Sequence, residues 1–135
     1  MDPLPSVLIV MDQHPTILVV DDDAAIRAII HRLFTAKGYC VREAADGITA
    51  YACAHHETPS LVVLDLGLPG QDGWAVASEL RADPNLDGIP IIAITGYSYS
   101  AAISAALAAG CQTVICKPFA LATLENAVDA LLHQN

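Results

Sequence analysis

Three consecutive aspartates, Asp21, Asp22 and Asp23, stand directly behind the apolar run Ile17 to Val20 in "ILVVDDDAAIR". Carboxylates packed this closely repel one another, and burial makes each harder to ionise. Such a cluster calls for a positive partner. Three further polar groups follow apolar runs in the same way: Asp65 in "VVLDLGLPGQDGW", Thr95 in "AITGY" and Lys117 in "ICKPF". An aspartate carboxylate can act as a nucleophile toward phosphorus and give an acyl phosphate. Phosphoryl transfer asks little covalent help of a protein; it needs positioning and neutralisation of charge on the oxygens. A divalent cation held by carboxylates supplies that neutralisation and accounts for the aspartates. Mg²⁺ prefers oxygen ligands and keeps several waters, so one or two carboxylates suffice. Lysine can pair with one phosphoryl oxygen, and a threonine hydroxyl can donate a hydrogen bond to another.

These groups converge only if the elements before them lie side by side. Five short apolar runs recur along the chain: "ILVV" (17–20), "CVRE" (40–43), "LVVL" (61–64), "PIIAI" (90–94) and "TVIC" (113–116). Four are nearly continuous in apolarity, as parallel strands covered on both faces require. "CVRE" carries two charges and suits a sheet edge. Between the runs the periodicity is helical. Ile26, Ile29, Ile30 and Leu33 form one stripe, opened by an Asp23 cap and stopped at Gly38 after Lys37. Weaker helices are expected at about 47–56, anchored by Ile48 and Tyr51, and at about 73–82, anchored by Val76 and Leu80. Ile103 and Leu107 mark a fourth, stopped at Gly110, and Leu121, Leu124, Val128, Leu131 and Leu132 a fifth. Alternating β and α units of this kind predict an α/β fold, an open doubly wound parallel sheet with right-handed crossovers. Ligands in such sheets bind beyond the carboxyl ends of the strands, where these polar groups fall.

With 135 residues, 54% of them hydrophobic, the chain has the material for one core. A formal net charge of -9 argues against direct nucleic-acid binding, which needs a basic footprint. No apolar run is long enough to span a membrane, and "MDPLPSVLIVMDQHP" lacks the basic start of a secretory signal. Cys40, Cys53, Cys111 and Cys116 have apolar neighbours and no metal-ligand spacing, so reduced core thiols in a cytoplasmic protein are expected. The neighbours His55 and His56 would point to different faces of a helix, which does not suit zinc. Residues 1–15, broken by Pro3, Pro5 and Pro15, read as an N-terminal extension of unknown role, with one domain over 16–135.

The segments "ILVVDDDAAIR", "LVVLDLGLPGQDG", "PIIAITGY" and "AAGCQTVICKPF" resemble, in order, the motifs of the receiver domain of two-component response regulators. The spacings from Asp65 to Thr95 and from Thr95 to Lys117 are also typical of that family. The resemblance implies a flavodoxin-like (βα)5 fold with strand order 2-1-3-4-5. It makes Asp65 the phosphoacceptor for a sensor histidine kinase or histidine phosphotransfer protein. Asp22 would bind Mg²⁺ directly and Asp21 mainly through water, with Asp65 and the Gly67 carbonyl completing the protein ligands. Thr95 and Lys117 would hold the phosphoryl group, and Lys117-Pro118 would be cis. Asp23 is left as a helix cap. Asp72-Gly73 is read as a turn signal, and Trp74 as a partly buried packing residue.

Two departures stand out. The family's switch aromatic, three residues before the lysine, is Val114, with Tyr97 and Tyr99 as candidate substitutes. The segment "SAAISAALAAGC" has no charge, so an apolar partner surface is expected there rather than a salt-bridged dimer. A haloacid-dehalogenase-type phosphatase would need an acidic pair after its lysine, where "PFALATLENAV" stands. A flavodoxin would need a Ser/Thr-rich phosphate loop where three aspartates stand. The expectation is therefore a single-domain receiver rather than a metabolic enzyme, with Mg²⁺-dependent self-phosphorylation and autodephosphorylation its only chemistry. Its output would be contact with a downstream protein target or phosphorelay. A phosphorylation-independent binding receiver and a receiver fragment of a longer hybrid kinase are the alternatives.

Overall fold

The computed structural model describes residues 14–68, 73–96 and 100–133. Five strands, β1 (Thr16–Val20), β2 (Cys40–Ala44), β3 (Leu61–Asp65), β4 (Ile91–Thr95) and β5 (Thr113–Cys116), alternate with five helices. These are α1 (Ala24–Ala36), α2 (Gly47–His56), α3 (Gly73–Ala82), α4 (Ser100–Ala108) and α5 (Leu121–Leu132). All strand pairs are parallel, in the order β2-β1-β3-β4-β5. The expected doubly wound sheet and its order are therefore present, with the charged β2 at the edge. Residues 1–13, most of the expected extension, lie outside the described residues, as do Tyr97 and Tyr99.

Side chains along a strand alternate between faces, and the core divides accordingly. Leu18, Val20, Val62, Leu64 and Ala93 pack toward α2, α3 and α4. Ile17, Val19, Val63, Ile92 and Ile94 pack toward α1 and α5. On the first face the helices dock through small residues: Ala50 and Ala54 in α2, Ala102 and Ala106 in α4 are all buried. The expected anchors Ile48 and Leu107 are 79% and 49% exposed instead. Alanine lets a helix backbone approach the sheet closely, and the larger residues two or one positions away are turned outward by the helical period. The α1 stripe is also rotated, here about large residues. Its buried line runs through Ile30 and Phe34, leaving Ile29 51% exposed.

Asp23 caps α1, accepting from the amides of Ala25 and Ile26. Gly38 and Gly110 end α1 and α4 at φ +95° and +105°, the left-handed turn that favours glycine. Gly110 also makes room for Arg81, whose Nε donates to the Gly110 carbonyl at 2.9 Å. That guanidinium further donates to the carbonyls of Asp87 and Ile89, joining the loops before β4 and β5. Cys111 is buried, and burial pushes its thiol pKa up to about 11. Cys40 departs from the expected core position: it is exposed on the edge strand, whose outward residues no neighbouring layer covers. Trp74 is half-buried against the first core cluster, as expected.

A polar clasp closes the other end of the α1–α5 face. Lys37 Nζ donates to Glu125 Oε2 and Asp129 Oδ2, both at 2.7 Å, and Tyr39 Oη donates to Asp129 Oδ1 at 2.8 Å. Burial first, and then the Asp129 bond, raise the Tyr39 hydroxyl from 10.0 to about 12. The fold favours the neutral phenol, so the stability it contributes is whole below pH 10 and is lost between pH 10 and about 12. Tyr39→Phe should thus be less stable than wild type at neutral pH, and the gap should narrow across that window. Urea midpoints of both proteins measured through it check the expectation; a constant gap contradicts it.

Candidate functional site

The site lies where the strands of the sheet end. Asp65 is the last residue of β3 and Thr95 the last of β4, while Asp21 and Lys117 each follow their strand by one residue. The register pairs Asp65 with Ile94 and Thr95 with Cys116, so these ends are adjacent in space. The Lys117 amide donates to the Thr95 carbonyl at 2.7 Å, extending the β4–β5 ladder to the lysine. Lys117-Pro118 is cis.

Asp65 is 4% exposed, yet both its carboxylate oxygens have donors. The Gly67 amide donates to Oδ1 at 2.9 Å and Lys117 Nζ donates to Oδ2 at 3.0 Å. Burying a carboxylate is costly unless it is paired and hydrogen-bonded, and here both conditions hold. Asp21 is buried as well, while Asp22 is exposed; one oxygen from each of Asp21, Asp22 and Asp65 lies within 4.8 Å of the others. Burial, together with the charges of Asp65 and Asp22, raises the Asp21 carboxyl above its ordinary range, against the Asp23 amide and Lys117. Burial works against the Lys117 ammonium, but its bond to Asp65 and the neighbouring aspartates prevail and raise its pKa. Three oxygen donors at this separation, partly buried and with one cation among them, fit a small hard cation such as Mg²⁺.

Of the expected site residues, Asp21, Asp22, Asp65, Gly67, Thr95 and Lys117 come together. Val114 is half-buried against the α2–α3–α4 core cluster, with no ring at that position. The two lysines separate cleanly: Lys117 belongs to the site and Lys37 to the clasp. His55 approaches Asp83 at 3.2 Å on α2 and His56 is exposed beside it, away from any three-residue metal cluster among the described residues. Two residues went unsingled. Arg27 Nη1 donates to the Asp21 carbonyl at 2.7 Å. Gly73, taken for a turn, packs against the backbone of Leu66, where a Cβ would lie 2.4 Å from the Leu66 Cα. A glycine opening a helix just beyond a strand-end aspartate was the available signal for the second.

A cavity of about 560 Å³ opens beside Lys117 between α1 and α5, lined by Asp21, Ile26, Ile29, Gly96, Phe119 and Leu121 among others. Ile29 and Leu121 on its wall are 51% and 42% exposed.

An open parallel α/β sheet with an acidic cluster and a lysine at its carboxyl edge defines the class. The chain belongs to the response regulator receiver domain family, whose sequence model matches residues 17–129. It is 38% identical over 122 residues to the probable transcriptional regulator ycf27 of Porphyridium aerugineum, covering 90% of this chain and 50% of that one. The chain thus spans about half the length of the curated relatives it matches. Among solved structures it is similar to a putative response regulator from Chloroflexus aurantiacus, with a TM-score of 0.84 and 30% identity over 90% of this chain and 100% of that one. It is also similar to the receiver domain of a sensor histidine kinase from Pseudomonas aeruginosa, described with a magnesium ion coordinated in its active-site cleft. That match has a TM-score of 0.81 and 30% identity, over 90% and 99% of the two chains. Among the described residues no helix is long and apolar enough to cross a membrane.

Proposed function

We propose that this receiver takes a phosphoryl group onto Asp65 from a phosphohistidine on a sensor histidine kinase or phosphotransfer protein. The observation that carries the reading is the setting of Asp65: buried, amide-bonded at one oxygen and lysine-bonded at the other, inside a cluster of three carboxylates. An Asp65 oxygen attacks phosphorus, the N–P bond to the donor histidine breaks, and an acyl phosphate forms. Asp21, Asp22, Asp65 and the Gly67 carbonyl are the residues that would hold Mg²⁺, and the ion would supply neutralisation of charge on the transferring oxygens. Lys117 shifts its ammonium from Asp65 to a phosphoryl oxygen, and the Thr95 hydroxyl donates to another. Water attack on the acyl phosphate returns the resting state, so the protein turns over its own modification and no metabolite.

The apolar cavity between α1 and α5 supports docking of a partner's helix close enough to present its histidine to Asp65. Output follows through contact with a downstream protein or by passing the phosphoryl group on. Relatives about twice this length favour a second reading of the output, in which the receiver acts on a further domain of its own polypeptide. Intact mass after incubation with Mg²⁺ and acetyl phosphate, with Asp65→Asn alongside, tests the chemistry. One hydroxylamine-labile phosphoryl adduct that needs Mg²⁺ and is absent from the variant is the expected result. No adduct from acetyl phosphate or from a panel of phosphorylated histidine kinases would replace this reading with a phosphorylation-independent binding module.

A further inference from the structure

The β1–β2 ladder stops one step short of the acidic cluster. A residue in a parallel ladder donates to one residue of its neighbour strand and accepts from the residue two further on. The Asp21 amide donates to the Ala44 carbonyl at 3.1 Å, so the next donor, to the Asp21 carbonyl, would be the amide of Asp46. But β2 ends at Ala44, and Asp46 caps α2 through its side chain, which accepts from the Thr49 amide at 2.7 Å. The Arg27 guanidinium takes the vacated place, with Nη1 donating to the Asp21 carbonyl at 2.7 Å.

That guanidinium is itself held. Its Nε donates to Glu43 Oε1 on β2 at 3.0 Å, and the other Glu43 oxygen pairs with His31 Nδ1 at 2.7 Å. The Arg27 side chain is only 17% exposed. Its own amide donates to the Asp23 carbonyl at 3.0 Å, and the Asp23 amide donates to Asp21 Oδ1 at 2.8 Å. Arg27 therefore ties α1 to the end of β1 across the short loop that carries Asp21 and Asp22. It does so through a carbonyl, with its charge met by Glu43, whereas Lys117 faces the carboxylates themselves.

We propose that Arg27, oriented by Glu43, is a positioning residue for the divalent-cation site: by pinning the Asp21 carbonyl it fixes the loop that aims the Asp21 and Asp22 carboxylates at the ion. The inference rests on the Mg²⁺-binding reading given above. Groups that orient metal ligands typically alter affinity by about tenfold or more when removed. A purely electrostatic role would have the opposite sign, because removing a cation near three carboxylates tightens Mg²⁺ binding.

The test is calorimetric titration of the full chain with Mg²⁺ alone, for wild type, Arg27→Ala, Arg27→Lys and Glu43→Ala, beside melting curves in chelator. The expected result is Mg²⁺ affinity about tenfold weaker in Arg27→Ala and intermediate in Glu43→Ala, with most of it recovered in Arg27→Lys. Affinity that is unchanged or tighter in Arg27→Ala overturns the inference while leaving the Mg²⁺ reading intact. Wild type that binds no Mg²⁺ overturns both. Should Arg27→Ala fail to fold, Glu43→Ala decides: weaker binding supports the inference and wild-type binding overturns it.

Discussion

Gly73→Ala is expected to lower the stability of the protein by about 3 kcal/mol, the upper end of what overpacking a core costs. The melting temperature should fall by roughly 10 °C, and the yield of Asp65 phosphorylation should fall with it. An added Cβ at Gly73 would lie 2.4 Å from the Leu66 Cα, 2.6 Å from its carbonyl oxygen and 2.8 Å from its carbonyl carbon. All three are backbone atoms, so no side-chain rotation relieves the overlap. Leu66 has little freedom to retreat, because it is 3% exposed and its amide donates to the Ile94 carbonyl at 2.9 Å. If α3 yields instead, its buried face of Val76, Ala77 and Leu80 lifts from the sheet. If Leu66 yields, it drags the segment in which the Gly67 amide holds Asp65 Oδ1. The second displacement reaches Asp65 directly. Gly88→Ala is the matched control, since nothing lies within 4 Å of its added Cβ. Urea denaturation and adduct mass measured on both variants separate the cases. Equal midpoints for the two would show that the close approach at Gly73 carries no weight.

That glycine also marks where sequence reading stops. The strands were legible because a buried parallel strand must be apolar on both faces, and a run such as "LVVL" has few other uses. The helix ends were legible at Asp23, Gly38 and Gly110, where the backbone demands a cap or a left-handed residue. Helix faces were less so. In α2 and α4 the largest apolar residues draw the eye, but the alanines at 50, 54, 102 and 106 make the contact, and alanine carries almost no periodic signal. The convergence of Asp21, Asp22, Asp65, Thr95 and Lys117 was legible because they sit at strand ends, which topology alone brings together, whereas Gly67 entered only through the family resemblance. Arg27 and Gly73 escaped because their roles are contacts with backbone atoms, of Asp21 and of Leu66. A side chain's neighbour across the fold has a signature in sequence only when that neighbour is also a side chain of marked type. A carbonyl or a Cα has none of its own, and at Gly73 only the glycine itself marks the contact.

Lys117→Ala should destabilise the metal-free protein and, at the same time, enlarge the stabilisation that Mg²⁺ confers. The wild-type cluster holds the carboxylates of Asp21, Asp22 and Asp65 around one ammonium, with Lys117 Nζ 3.0 Å from Asp65 Oδ2. Removing one partner of a fully buried pair costs about 3–5 kcal/mol because the other charge is left uncompensated. The Asp65 side chain is 5% exposed but that of Lys117 is 37% exposed, so solvent already screens part of the attraction. A loss of about 1–2 kcal/mol is the expected net figure. On the proposed reading Mg²⁺ and the ammonium would answer the same need, each supplying positive charge to this cluster. With the lysine gone, an ion held by these carboxylates would meet more uncompensated negative charge, and its affinity should rise. Stabilisation by a ligand grows as RT ln(1 + [L]/Kd), so a tighter Kd appears directly as a larger shift in melting temperature at a fixed Mg²⁺ concentration. Melting curves of wild type and Lys117→Ala in chelator and in Mg²⁺ give both numbers at once. Parallel shifts in the two proteins would mean that lysine and metal act on separate charges. A variant that melts low in chelator and recovers in Mg²⁺ would show that they share one site. In that case phosphorylation also has a fixed electrostatic requirement: a phosphoryl group adds negative charge to a cluster that already needs a cation. On the proposed reading of Asp65, the ion and the lysine would then both be needed, one with the carboxylates and the other free to follow the new oxygens.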